Sequence, residues 1–499
     1  MISLESVLKK EIKSKGNFID GKWKVSEKSQ GSIQIVSPAN FDWKLPDISF
    51  GFSEIEEAVA SANRAFTAWS RRSMDDRIAL LRKLGDEFES RKDELARVMA
   101  LEIGKPLDEC RVEAGALVNK IKLTIDDGLK LVNSSEIDLG SGSRGQIIFR
   151  PKGVMLVIGP FNFPTHLSNG HIIPALLTGN TVILKPSEKA PFSAQTYIEC
   201  FERVGFPAGV IQLLQGTGEV AQRLIRSKGI NGVLATTSYE IGAKIQKEVA
   251  EEPEKIVALE MGGKNAAIVW EGSDPEKVAA DLIQSCFLTT GQRCTALSRV
   301  YIHPNLLEPV LSKFHERAKN LLISHPFEED PKPFMGPIIS AAAKEKYLRY
   351  SDIAQSEGAE IIMRPKALDG SSRISKRPLP LGHYVTPSIA VVKNWSSKSS
   401  YQNHEIFGPD VFFAPVKTLD EAIEATNAAK YGLAFSFFGK TEEFNDVADR
   451  IEAGLVYCNR PTTGASSRLP FGGWKRSGNH RPAGIFAIYY TTQAQTRIY

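Results

Sequence analysis

Val154-Met155-Leu156-Val157-Ile158-Gly159-Pro160-Phe161-Asn162-Phe163-Pro164 is a short apolar run that stops at a glycine and two prolines. A run that short and that uniformly apolar reads as a strand buried on both faces, with a stiff turn at its carboxyl end. Residues 181–184, 210–214 and 232–234 repeat the pattern, each followed by a turn signal and a helical stretch. Strands alternating with helices imply a parallel sheet covered on both faces, with ligands beyond the carboxyl ends of the strands. A second alternation begins after Cys294, at residues 299–302. At 499 residues the chain exceeds one ordinary core, so the expected fold class is α/β with two doubly wound sheets.

Upstream, Ser53-Glu54-Ile55-Glu56 reads as a capping box, with Ser53 as the cap and Glu56 reaching back. Ile55, Val59, Ala62, Phe66 and Trp69 then mark one helical face. A second helix carries Ile78, Leu81, Leu84 and Phe88. A third carries Leu95 and Met99 and stops at Gly104-Lys105-Pro106. Residues 133–145 are rich in Ser and Gly, and 146–150 then look like a strand, an excursion from the main body.

Composition excludes several classes. Apolar content of 42% and charged content of 24% are those of a soluble globular protein, and a net charge of +4 gives no reason to expect nucleic acid. The 5 cysteines are scattered without a CxxC pair, which argues against a disulfide framework or a zinc site and for a reducing, cytoplasmic setting. The 8 histidines show no metal-ligand spacing, so no metal is expected. The first residues lack the continuous apolar stretch of a secretory signal, and no run approaches a membrane span.

Two segments carry covalent chemistry. Thr289-Thr290-Gly291-Gln292-Arg293-Cys294 puts a thiol in a glycine-containing turn beside an arginine, and Leu259-Glu260-Met261-Gly262-Gly263-Lys264-Asn265 puts a carboxylate next to paired glycines. A thiol and a general base are the minimum for covalent catalysis at a carbonyl. Cys294 by itself reads as a small buried apolar side chain, and its pairing with the further motifs is what points to catalysis. Asn162, held between prolines, offers an amide donor suited to an oxyanion. Lys185 and Glu188 follow the second strand of the alternation, where dinucleotide folds hold the adenosine ribose, and Glu188 would repel a 2'-phosphate. Gly216-Thr217-Gly218-Glu219-Val220-Ala221 fits GxGxxA. Ser238, opening the helical stretch that contains Gly242, could bind pyrophosphate through the following amides.

Taken in order, Phe161-Asn162-Phe163-Pro164, Lys185-Pro186-Ser187-Glu188, the LEMGGKN and GQRC segments, Glu405-Ile406-Phe407-Gly408-Pro409 and Pro470-Phe471-Gly472-Gly473 resemble the aldehyde dehydrogenase superfamily. The resemblance runs from Phe18 to the C-terminus. It implies NAD as cofactor, Cys294 as nucleophile, Glu260 as general base and Asn162 as oxyanion donor. It also implies a cofactor lined by Ile158, Gly159, Pro160, Phe161, Lys185, Ser187, Glu188, Gly218, Ser238, Gly242, Met261, Gly262, Glu405 and Phe407. Of these, Glu405 would hold the nicotinamide ribose and Phe407 would pack near the ring. The implied domains are 1–132, 152–258 and 453–479 for the cofactor, 259–452 for catalysis, and 133–151 with 480–499 as an oligomerisation arm pairing across subunits of a homodimer or homotetramer. One departure is Thr237, where the family usually has glycine before the pyrophosphate-binding helix.

Residues 459–467 and Ser477-Gly478-Asn479-His480-Arg481-Pro482, with Leu167-Ser168-Asn169-Gly170-His171, resemble the branch that oxidises N-succinylglutamate 5-semialdehyde in arginine catabolism. That aldehyde carries three carboxylates, so Arg460, Ser466, Ser467 and Arg468 become candidate substrate contacts. Glutamate 5-semialdehyde or another dicarboxylic semialdehyde is the alternative substrate. A cysteine hydrolase would need the thiol and Glu260 but leaves Lys185 and Glu188 without a role. Arg293 or a bound nicotinamide cation would favour the thiolate, which a free cysteine forms only to a few per cent at neutral pH.

Overall fold

The computed structural model describes residues 12–368 and 378–499; the reading of the first residues as free of a signal segment therefore falls mostly outside the described residues. The apolar run becomes the strand Val154–Ile158, whose residues are almost entirely buried. It pairs in parallel with Thr181–Lys185 on one side and Gly232–Thr236 on the other. Ile211–Leu213 extends the sheet on the first side and Ile256–Glu260 on the second, so the order reverses at Val154–Ile158. A crevice opens at such a reversal, beyond the strand ends. Asn17–Ile19 and Lys22–Lys24 add an antiparallel edge.

The second sheet runs Glu360–Met363, Ser388–Val391, Asp410–Pro415, Leu297–Ile302, Asn265–Val269, Ala434–Phe438, Leu455–Cys458, and only its first pair is antiparallel. Leu455–Cys458 thus lies in this sheet, which departs from the assignment of 453–479 to the cofactor-binding body. Ala266, Ile268 and Phe435 on one face and Ala267, Val269 and Val300 on the other are buried in separate apolar clusters, as a doubly covered sheet requires. Only Met261 to Lys264 separate the last strand of the first sheet from a central strand of the second.

The amino-terminal helices form as their apolar spacing predicts. Leu81, Leu84, Phe88 and Met99 pack in one cluster with Val157 and Leu184 of the first sheet, and Lys92–Ile103 ends at a left-handed Gly104. The capping box is not formed. Phe52, already helical in backbone conformation, takes the cap position of Ser53–Arg71, and the Ser53 hydroxyl donates to Glu54 Oε2 at 3.1 Å. Ser53 therefore sits inside the first turn, too late to serve its free amides.

The excursion forms Ser135–Gly140 and Ser143–Pro151, and the C-terminal Thr492–Ile498 pairs with the latter from Thr492↔Pro151 to Ile498↔Gly145. The expected pairing of these segments is thus made within one chain. It leaves Ser135–Gly140 as a fully exposed edge carrying Ile137 and Leu139.

Candidate active site

A cavity of about 690 Å³ lies beyond the carboxyl ends of Val154–Ile158, Gly232–Thr236 and Ile256–Glu260, and the second body closes it with Cys294, Glu405 and Phe407. All the residues expected to be catalytic or cofactor-binding line it except Gly242. Gly242 lies within the helix Tyr239–Glu248 and packs against Met261.

The turn that presents Cys294 is strained. Thr289 and Thr290, both β-branched, hold φ of 56°, and Gly291 follows at 67°. Non-glycine residues in this region cost about 1–3 kcal/mol each, so the surroundings must enforce it. Glu109 does so in part. Its carboxylate accepts from the Thr289 amide at 3.2 Å and the Thr289 hydroxyl at 2.5 Å, while the Thr290 hydroxyl donates to the Gly336 carbonyl at 2.9 Å. Asn265 Nδ2 donates to the Cys294 carbonyl at 2.7 Å, fixing the backbone just past the turn. Burial pushes the Cys294 thiol up to about 12, and the Glu260 and Glu405 carboxylates act in the same direction. Arg293 opposes them weakly, because its guanidinium pairs with Glu109 at 2.9 Å and lies over the Phe163 ring. The Arg293 charge thus acts in the expected direction, toward the thiolate, with Glu109 sharing its guanidinium.

Glu260 ends its strand at 4% exposure, and neither carboxylate oxygen has a hydrogen-bond partner among the described residues. Burial holds its carboxyl well above the usual carboxylate range, with the Arg481 guanidinium pulling the other way. Buried polar groups are nearly always satisfied, so this pair of orphaned oxygens marks a group kept ready for something that enters the cavity. The C-terminal loop shields it. Asn479 Oδ1 accepts from the Leu259 amide at 2.7 Å, Met261 N donates to the Ser477 carbonyl at 2.9 Å, and a Cβ on Gly472 would stand 2.6 Å from Glu260 Oε1. Asn162 Nδ2 donates to the Gln292 carbonyl at 2.9 Å, which ties the amide to the nucleophile's turn.

Glu405 Oε1 accepts from the Gly263 amide at 2.9 Å, and burial raises its carboxyl to about 7. A Cβ on Gly262 would fall inside that carboxylate, so any side chain there would displace Glu405 from the Gly263 amide. Phe407, itself left-handed at φ 61°, meets Phe161 edge to face with ring centres 6.0 Å apart. Lys185 is buried and lowered by that burial to about 8; its Nζ donates to the Pro186 carbonyl at 2.8 Å and stands 3.9 Å from Glu188. Ser238 caps Tyr239–Glu248 by accepting from the Ile241 amide, and Thr237 joins the cavity wall beside it. Ile225, Ile241 and Ile245 wall the far end.

These features sit on a chain whose residues 24–497 match the sequence pattern of the aldehyde dehydrogenase family. The chain belongs to the aldehyde dehydrogenase family. It is 37% identical over 478 residues to an N-succinylglutamate 5-semialdehyde dehydrogenase of Caulobacter sp. (strain K31), covering 96% of this chain and 95% of that one. A protein so named from Chromohalobacter salexigens is 34% identical, covering 95% and 94%. Among solved structures, the betaine aldehyde dehydrogenase of Staphylococcus aureus in complex with NAD+ superposes with a TM-score of 0.92 at 28% identity, covering 100% of this chain and 97% of that one. The 1-pyrroline-5-carboxylate dehydrogenase from Thermus with bound NAD gives 0.89 at 28%, covering 99% and 95%.

Within this aldehyde dehydrogenase frame the four candidate substrate residues stand apart from the cavity wall. Arg460 is exposed, with its guanidinium 5.8 Å from the centre of the Tyr457 ring. Arg468 is 76% exposed and 3.3 Å from Asp127; its amide donates to the Ser466 hydroxyl at 3.3 Å, and Ser467 is half-buried alongside. Sequence reasoning missed Glu109, Asn265 and Tyr457. Tyr457 packs in the same small apolar cluster as Cys294 and Phe471, and its hydroxyl is buried without a partner among the described residues. Asn265 stood in a quoted motif, but its role as a backbone clamp has no local signal.

Proposed function

We propose that this chain oxidises an aldehyde carrying several carboxylates, N-succinylglutamate 5-semialdehyde, to the acid, with NAD as hydride acceptor. The observation that carries the reading is one cavity holding a thiol on a strained turn, an orphaned buried carboxylate and a fixed amide donor. Cys294 Sγ adds to the aldehyde carbon, and the Asn162 amide with the Cys294 backbone N–H stabilises the oxyanion. When bound, NAD would supply the hydride acceptor, and its nicotinamide cation would add to Arg293 in favouring the thiolate. The acyl group then rests on Sγ as a thioester, and Glu260 takes a proton from water that attacks it. The cavity fits the dinucleotide through the apolar Ile225 and Ile245, the Lys185 and Glu188 pair, the helix start at Ser238, and Glu405.

Glu188 stands where a 2'-phosphate would lie. Glu188→Gln is expected to narrow the preference for NAD over NADP, read as the ratio of kcat/KM values; an unchanged ratio would remove the ribose assignment.

The substrate reading draws on the names of the relatives, and it assigns carboxylate binding to Arg460 and Arg468, which stand outside the cavity wall. Side-by-side kinetics on succinylglutamate, glutamate and succinate semialdehydes test it, with the first expected to have the highest kcat/KM. Charge-assisted contacts are worth about 1.5–3 kcal/mol, so loss of one should cost the carboxylated substrate about 10- to 150-fold. Arg460→Ala is expected to show that loss and spare an uncharged aldehyde of similar length. Arg468→Ala should cost less, since an exposed pair with Asp127 already engages it. Equal losses on both aldehydes would make the arginines structural.

The exposed Ser135–Gly140 edge is the surface proposed to pair with a second copy, an unprotected strand edge being a template for another chain. Deleting residues 491–499, which removes the strand at the opposite edge of this small sheet, should lower the mass seen by light scattering. An unchanged mass would count against the arm.

A further inference from the structure

Lys105 and Glu113 form an ion pair with side-chain exposures of 1% and 0%. Charges so deeply buried are kept at a desolvation cost, and an apolar pair of similar volume would often be as stable, so their retention asks for another reason. Their contacts supply one. Lys105 Nζ donates to the backbone carbonyl of Asn162 at 3.0 Å and sits 4.0 Å from the centre of the Phe163 ring. Glu113 Oε1 accepts from the Thr165 amide at 3.1 Å, the Thr165 hydroxyl at 2.9 Å and the His166 amide at 3.1 Å. It thereby satisfies free amides at the start of the helix His166–Leu177. The segment from Asn162 to His166 is thus gripped on both sides by one ion pair.

Glu113 lies one turn beyond Glu109 on the helix Leu107–Asp126, so residues four apart share a face. Glu109 grips the turn before Cys294, and Glu113 grips the turn that carries Asn162. The two turns also meet directly, through the Asn162 side chain and the Gln292 carbonyl. One helical face therefore indexes the thiol and the amide to each other.

We propose that the buried Lys105–Glu113 ion pair is a positioning device that holds the Asn162 amide at the oxyanion formed on Cys294, a role that rests on the oxyanion reading given above. Neither residue lines the cavity, so both act through Asn162.

The test is a double-mutant cycle on the full-length protein with Asn162→Ala, Glu113→Gln and the combination, reading kcat/KM for the aldehyde, the rate of the first NADH turnover, and alkylation of Cys294 by iodoacetamide. Alkylation needs the thiol but no oxyanion donor. Asn162→Ala is expected to slow acylation by about 10²- to 10³-fold. Glu113→Gln is expected to slow it by at least about 10-fold, with KM for NAD and the alkylation rate within about twofold of the parent. The double variant should be no slower than Asn162→Ala alone, because residues acting as a unit are not additive. Independent, multiplying losses would overturn the proposal, as would a Glu113→Gln enzyme of parental rate. If Asn162→Ala itself loses nothing, the oxyanion reading fails instead, and the two failures are distinct. Should Glu113→Gln not accumulate as folded protein, the same cycle with Lys105→Met, which removes the donor to the Asn162 carbonyl, decides by the same criteria.

Discussion

Cys294→Ala is expected to lower NADH production by on the order of 10⁴-fold or more while NAD binding stays close to that of the parent. The chemistry begins at Sγ, and no other described cysteine lines the cavity. Cys110, Cys200 and Cys286 are fully enclosed, with thiols raised by burial, and cannot substitute. The alanine keeps the backbone that Asn265 and Glu109 fix, so the cofactor walls at Lys185, Ser238 and Glu405 are left in place. NADH formation in a stopped assay and quenching of protein fluorescence by NAD measure the two quantities. Appreciable turnover in the variant would sink the covalent route; loss of NAD binding would mean that the thiol is also structural.

Glu260→Gln should separate the two halves of the reaction. The variant is expected to leave acylation, and with it the rate of the first NADH turnover, largely intact, and to slow water attack by about 10²- to 10⁴-fold, the usual contribution of a positioned base. Rapid mixing is then expected to give a burst of about one NADH per site and a slow steady state. The pH dependence follows from the same group. The base must be ionised to act, and burial holds the Glu260 carboxyl above the usual carboxylate range. Deacylation should therefore climb with pH through that raised range and level off above it. The glutamine variant should lose that rise. A vanished burst would place Glu260 in the first half of the reaction, and an unchanged profile would detach the rise from this residue.

Much of the site could be read from the sequence because its signals are local. The Val154–Ile158 strand and its Gly-Pro turn, the GQRC thiol and the carboxylate before paired glycines each declare their chemistry within a few neighbours. What stayed hidden depends on partners remote in the chain. Arg293 declares itself beside Cys294, but its ion-pair partner Glu109 is 184 positions away, on the helix Leu107–Asp126. The sequence Gly104-Lys105-Pro106 reads as a helix stop and is one, yet its lysine is also buried against Glu113 and the Asn162 carbonyl. Leu455–Cys458 has the same apolar character as strands of either sheet, and only its register beside Ala434–Phe438 assigns it. Ser53 failed as a cap because the helix began one residue earlier than its composition suggested.

The short link from Met261 to Lys264 has a mechanical consequence. The base ends a strand of one sheet, the thiol precedes a strand of the other, and little slack joins them. Neither group can be adjusted alone: a rigid shift of one sheet over the other changes their separation almost one for one, and a misplacement of about 1 Å is worth on the order of 100-fold in rate. Contacts spanning the seam, such as Glu405 with the Gly263 amide and Asn479 with the Leu259 amide, therefore work as calibration screws, and substitutions there should alter turnover without touching any reacting atom.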